Sequence, residues 1–98
     1  MDLLRLTVMP KAIFLSKVAR KQLNSLQKEA RDRIRKALYS LCEPGGRQML
    51  DIKKLKGVGG KEDLFRLRIG DYRVVYFEDA DCFKIIQIFH RGKEYEWL

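Results

Sequence analysis

Residues 63–77 read DLFRLRIGDYRVVYF. Apolar and polar residues alternate on either side of Gly70-Asp71, the period-two pattern of two strands joined by a tight turn. Glycine at the first central position suits a type II′ turn, which makes Ile69 pair with Tyr72. In that register Phe65, Leu67, Ile69, Tyr72, Val74 and Tyr76 share one face, a core face. The other face sets Arg68 opposite Arg73, with Arg66 opposite Val75 and diagonal to Arg73. Like charges directly across a ladder destabilise it by roughly 0.2–1 kcal/mol. A hairpin that gathers three arginines therefore has a use for them beyond folding.

The residues downstream extend the register. If EDADC closes a four-residue loop at 79–82, Glu78 pairs with Phe83 and Arg73 faces Ile88. Phe83, Ile85 and Phe89 then join the core face, and His90, the single histidine, falls on the arginine face. Arg91, Lys93 and Tyr95 follow where the strand gives out.

Upstream, KAIFL at 11–15 suits a first strand, and Ser16 suits the N-cap of a helix. Leu15, Ala19, Leu23 and Leu26, then Ala30, Ile34, Ala37, Leu38 and Leu41, recur at helical spacing. They predict an αα-hairpin joined near Gln27-Lys28 and ended by Pro44, Gly45 and Gly46. With strands at 64–69, 72–78 and 83–90, the order is β-α-α-β-β-β. The expected fold is α+β, with the N-terminal αα-hairpin packed on a small antiparallel sheet.

Ninety-eight residues make one domain, 1–98, in which residues 1–9 read as an optional extension and Met9 as an alternative start. The hydrophobic share, 46%, excludes global disorder. Lys and Arg number 21 against 13 Asp and Glu, a net charge of +8 that points to phosphate backbones or another acidic surface. Cys42 and Cys82 with one histidine cannot assemble a zinc site, and they read as reduced thiols of a soluble cytoplasmic protein. The apolar N-terminus is broken by Arg5, Pro10 and Lys11, so no membrane span is expected.

Basic residues also line the helices, where Arg20, Lys21, Arg31 and Arg35 either meet RNA phosphates or form an ordinary solvated helix surface. Residues 44–63 hold most of the glycines together with Lys53, Lys54 and Lys56. They read as a flexible basic connection along a nucleic-acid backbone, or as a plain linker. GVGGKE is not a phosphate loop, because a Walker motif requires Gly-Lys-Ser/Thr and position 62 is glutamate.

Arginines converging without acidic partners suit a phosphate, since each guanidinium presents two donors to two oxygens. His90, with an ordinary pKa of about 6.5, and the phenol of Tyr95 add groups that can move protons. An RNA strand carries its own nucleophile, the 2′-hydroxyl. The protein need only take that proton, stabilise the charge on phosphorus and help the 5′-oxygen leave, which calls for no metal and no cofactor.

The block LFRLRIGDYRVVYF, an acidic turn and IIQIFHRGKEY together closely resemble the RelE/ParE superfamily of toxins over about residues 11–95. The resemblance implies a RelE-type fold and a RelB-like antitoxin that forms a hetero-oligomer with the chain. In the RelE branch it implies cleavage of mRNA in the ribosomal A site, leaving a 2′,3′-cyclic phosphate and a 5′-hydroxyl. Carried over by position, Arg66 and Arg68 stand where RelE-like enzymes place basic strand residues, although RelE itself has lysines there. Arg73 matches the arginine after the turn tyrosine, and Arg91 the basic residue ending the last strand. His90 resembles the histidine of relatives with a conventional base, and Tyr95 or Trp97 fills the place of the C-terminal aromatic. Two other readings stand beside this one: a ParE-like inhibitor of DNA gyrase, and a non-catalytic RNA- or ribosome-binding module.

Overall fold

The computed structural model describes residues 11–55 and 63–93. Strand β1 (Ala12–Leu15) leads directly into helix α1 (Lys17–Asn24). Ser16 caps that helix as its sequence requires, its hydroxyl oxygen accepting the Ala19 N–H at 2.9 Å. A short turn leads to α2 (Lys28–Cys42), which ends where Glu43 turns extended ahead of Pro44, and Gly45, at φ +78°, takes the left-handed conformation that opens the next turn. A 3₁₀ turn (Gly46–Met49) and strand β2 (Asp51–Leu55) follow, then β3 (Asp63–Ile69), β4 (Tyr72–Glu78) and β5 (Cys82–His90). Arg91–Lys93 form a final 3₁₀ turn.

The strands lie in the order β1-β5-β4-β3-β2. Every pairing is antiparallel except β1 with β5, which is parallel. The α+β fold with its αα-hairpin on the sheet is as expected, with two differences. The segment expected as a loose connection contains the edge strand β2, and the sheet is mixed because β1 docks alongside β5.

The helices cover the face predicted as core. Ala19, Leu23, Ile34, Ala37, Leu38 and Leu41 pack on Leu67, Val74, Tyr76, Phe83, Ile85 and Ile88. Each fully buried aliphatic side chain contributes about 1.5–3 kcal/mol, so this interface dominates the stability. Phe65, Ile69 and Tyr72 pack against its margin.

The two turns of the sheet obey their sequences. Ile69 pairs with Tyr72 across Gly70-Asp71, with Gly70 at φ +56°, as the type II′ reading requires. Glu78 pairs with Phe83, and the Asp79 carboxylate closes the loop by accepting the Asp81 and Cys82 N–H groups, each at 2.8 Å.

Beyond that loop the expected register fails. Val75 pairs with Gln87 but Tyr76 pairs with Ile85, leaving Ile86 as the extra residue of a β-bulge. One added residue reverses the parity of everything after it. Arg73 therefore pairs with Phe89 rather than Ile88, and His90 pairs with Tyr72. Ile88, 2% exposed, takes the core position expected of Phe89.

Candidate RNA-binding site at the hairpin tip

The like-charge pair is real: Arg68 stands directly across from Arg73. Strand β2 adds a second, because Lys53 pairs with Arg66. The face thus carries Lys53, Arg66, Arg68 and Arg73 on three adjacent strands. Along β3 it opens progressively toward the Gly70-Asp71 tip, from buried Leu64 through half-buried Arg66 to exposed Arg68. Val75, beside Arg66, is fully buried. The exposed cations of this face are therefore Arg68, beside the turn, and Lys53 on β2.

Three expectations about these side chains need correction. The arginines do not converge without acids: Arg68 Nη1 lies 4.0 Å from Asp51 Oδ2, and Arg91 Nη1 lies 3.8 Å from Asp71 Oδ1. Both contacts are exposed and at the limit of an ion pair, so a stronger anion can displace them. Arg73 is not a surface residue, being only 8% exposed. Its Nη1 donates to the carbonyls of Gly70 and Tyr72, both at 3.0 Å, so it braces the turn as well as charging it.

The third correction concerns His90. The bulge at Ile86 moves it off the arginine face onto the face of Tyr72, where the two rings meet edge to face with centroids 5.5 Å apart. It remains exposed at the same end of the sheet, because Arg91 N–H donates to the Asp71 carbonyl at 2.8 Å and holds the end of β5 against the turn. The Gly92 N–H points at His90 Nδ1 over 3.4 Å. That weak contact favours the neutral tautomer with its proton on Nε2, which presents a donor outward.

The other basic residues divide by location. Lys54 lies on the opposite face of β2 from Lys53, with its ammonium 3.4 Å from Asp63 Oδ1. Arg20 of α1 and Arg35 of α2 both line a groove of about 400 Å³ floored by Ile13, Leu15, Leu23 and Leu38. Lys21 is exposed and Arg31 half-buried on the same helical layer. These four belong to the side of the sheet opposite the arginine face. Lys56, Tyr95 and Trp97 lie outside the described residues.

Sequence reasoning missed one tip residue, Arg33. Its Nη2 lies 2.6 Å from where a Cβ on Gly70 would sit, so the α2 guanidinium rests on the β3–β4 turn. No local pattern distinguishes it from the other helix cations; only the packing of α2 across the sheet brings it there.

Among families, the description "ParE toxin of type II toxin–antitoxin system" matches residues 13–95. Solved structures similar to this chain include one from the archaeal RelE–RelB complex of Pyrococcus horikoshii. It is 35% identical with a TM-score of 0.71, over 87% of this chain and 99% of that one. The RelB–RelE complex of Methanococcus jannaschii matches at 23% identity and TM-score 0.65, over 87% and 98% of the two chains. The RelBE2 complex of Mycobacterium tuberculosis matches at 24% and 0.60, over 84% and 99%. At those lower identities the likeness is one of fold. No curated protein sequence matches.

Proposed function

The chain belongs to the RelE/ParE superfamily, the toxins of type II toxin–antitoxin pairs, and on that premise we propose that it is a ribosome-dependent mRNA endoribonuclease. The observation that carries this reading is the Arg68–Arg73 cross-strand pair, supported by Arg66 and Lys53 and joined at the tip by Arg91. A sheet accepts such repulsion where an anion relieves it, and the backbone of RNA supplies one.

In this mechanism Arg68 and Arg91 exchange their weak carboxylate contacts for the oxygens of the scissile phosphate. They stabilise the charge that grows when the 2′-hydroxyl attacks. Arg73 holds the turn that places them. His90 reaches the site from the edge of the sheet: its Nε2–H donates to a phosphate oxygen, and in its protonated form it supplies a proton to the departing 5′-oxygen. Taking the 2′ proton falls to Tyr95 or to a group on the ribosome. No metal enters these steps, because the substrate provides the nucleophile and the arginines neutralise the charge.

A site whose described residues offer a single histidine and several arginines is poorly equipped to orient a flexible strand. The ribosome supplies that orientation, which can amount to roughly 7–11 kcal/mol of barrier. Arg20, Lys21, Arg31 and Arg35 dock the helical side on ribosomal RNA phosphates or on the antitoxin. The groove between Arg20 and Arg35, bordered by exposed Tyr39 and by Ile13 and Leu15 of the edge strand β1, fits an acidic antitoxin segment with an apolar stripe.

The test incubates purified protein with naked message and with programmed ribosomes whose A site is empty, then maps RNA 5′ ends. Cleavage confined to the ribosome-bound message is the expected result; equal cleavage of both would identify a free ribonuclease. One observation favours a second reading: the matching family description is that of ParE. Inhibition of gyrase supercoiling with no new RNA termini would establish that activity instead.

A further inference from the structure

Three guanidiniums from three separate elements meet at residues 70–72. Arg73 of β4 donates to the carbonyls of Gly70 and Tyr72 from the arginine face. Arg91, past the end of β5, lies beside Asp71. Arg33 of α2 reaches the same turn from the helical side and lies over Gly70, in space that any side chain at that position would occupy. Asp71 is engaged by Arg91, whereas Arg33 forms no ion pair or side-chain hydrogen bond among the described residues. Glu29 and Asp32 flank Arg33 on its own helix, yet neither takes its charge.

We propose that Arg33 is an RNA-binding residue of the tip site: it holds the message phosphate adjacent to the scissile one. The inference rests on the nuclease reading above and extends it from the sheet to α2. Its physical basis is preorganisation. A guanidinium seated on backbone loses less freedom on binding an anion than one extended into solvent, and its planar fork fits two phosphate oxygens. Gly70 then has two reasons to be glycine: its positive φ, and the seat it leaves for Arg33. Because Arg33 and Arg68 approach the tip from opposite faces of the sheet, an RNA strand crossing the tip can meet both with successive phosphates.

Binding and cleavage are measured separately. Binding uses programmed ribosomes carrying a message with 2′-deoxyribose at the cleavage position, titrated with wild type, Arg33→Ala and Arg33→Lys at several salt concentrations. Arg33→Ala should weaken binding about tenfold and reduce the slope of log affinity against log salt by about 0.7, one phosphate contact. Arg33→Lys should recover most of the slope, and the thermal midpoints of the free proteins should agree. An unchanged slope in Arg33→Ala overturns the proposal, as does an equal loss of thermal stability in both variants, which would make the residue structural. The all-ribose message tests the parent reading independently. Tight wild-type binding without cleavage would end the nuclease assignment and leave the Arg33 contact to be judged on the salt slope. Absence of wild-type binding would overturn both.

Discussion

Tyr76 shows how a single side chain can be well packed and poorly satisfied at once. Its ring is fully buried, lying 5.4 Å from the stacked ring of Phe65 and 5.7 Å edge-on from Phe83. Its hydroxyl has no hydrogen-bond partner among the described residues, and burial, opposed by the nearby Arg47 charge, pushes the phenol up to about 12. A buried hydroxyl left unpaired costs about 1–3 kcal/mol relative to solvent. Tyr76→Phe keeps the ring contacts and removes that penalty, so it should stabilise the protein by about 1 kcal/mol. In a domain of this size the midpoint should rise by roughly 4–8 °C, measurable by calorimetry. A fall in the midpoint would mean that the hydroxyl has a partner in solution. Arg73 is the opposite case: a charge placed across from another charge, yet tied to two carbonyls. Its removal takes away the repulsion and the brace together, so it serves the turn and the site at once.

At the scale of elements, the β-bulge decides the geometry of the tip, and α1 holds it. β1 pairs with β5 only from Cys82 to Ile85, so the outward edge of β5 past the bulge needs other partners. Gln22 of α1 provides them: its Oε1 accepts the Ile88 N–H at 2.6 Å, and its Nε2 donates to Gln87 Oε1 at 2.9 Å. The side-chain amide thus continues the ladder where the neighbouring strand has ended. Gln22→Ala should lose about 1–2 kcal/mol. It should also speed hydrogen exchange at the Ile88 amide far more than at Val74, in the middle of the sheet. Uniform acceleration across both would show that Gln22 acts on global stability rather than on the bulge.

Across the whole molecule, the end of the sheet remote from the tip is held by one carboxylate. Glu78 at the end of β4 accepts from Lys11 at 2.7 Å and from Arg47 at 2.8 and 2.9 Å. The Lys11 ammonium lies over Phe83, and the Arg47 guanidinium over Phe65. The cluster ties the start of β1 and the α2–β2 connection to the centre of the sheet. Burial alone would raise the Glu78 carboxyl, but the hydrogen bonds and charges of Lys11 and Arg47 outweigh it and hold it below its ordinary 4.5. A depressed carboxylate contributes stability that is complete above its unfolded value and lost as pH falls through the folded one. Wild type should therefore weaken progressively below about pH 4.5, while Glu78→Gln should be less stable by about 1–3 kcal/mol at pH 7. The difference between them should shrink on acidification, as urea midpoints across that range will record. A constant difference would place the acid response in other carboxylates.

How much of this was legible in the chain follows the range of the interactions. The hairpin register, the Ser16 cap, the helical stripes and the loop at Asp79 depend on residues a few positions apart, so spacing and turn chemistry alone determined them. The arginine pair followed, because the side-chain period of a strand is two and one turn sets its phase. β2 stayed hidden because Asp51-Ile52-Lys53-Lys54-Leu55 lacks a clear alternation; it is a strand because the open edge of β3 offers it hydrogen bonds. The parity of His90 could not be read either, since one inserted residue at Ile86 reverses it, and the bulge is held in place by Gln22, far away in sequence. Arg33 reaches the tip only because α2 crosses the sheet at the angle its apolar stripe allows. The chain by itself determined which residues alternate and where they turn. Tertiary packing decided which face each late residue occupies and which distant side chains meet, because those outcomes depend on contacts that close only when the helices settle on the sheet.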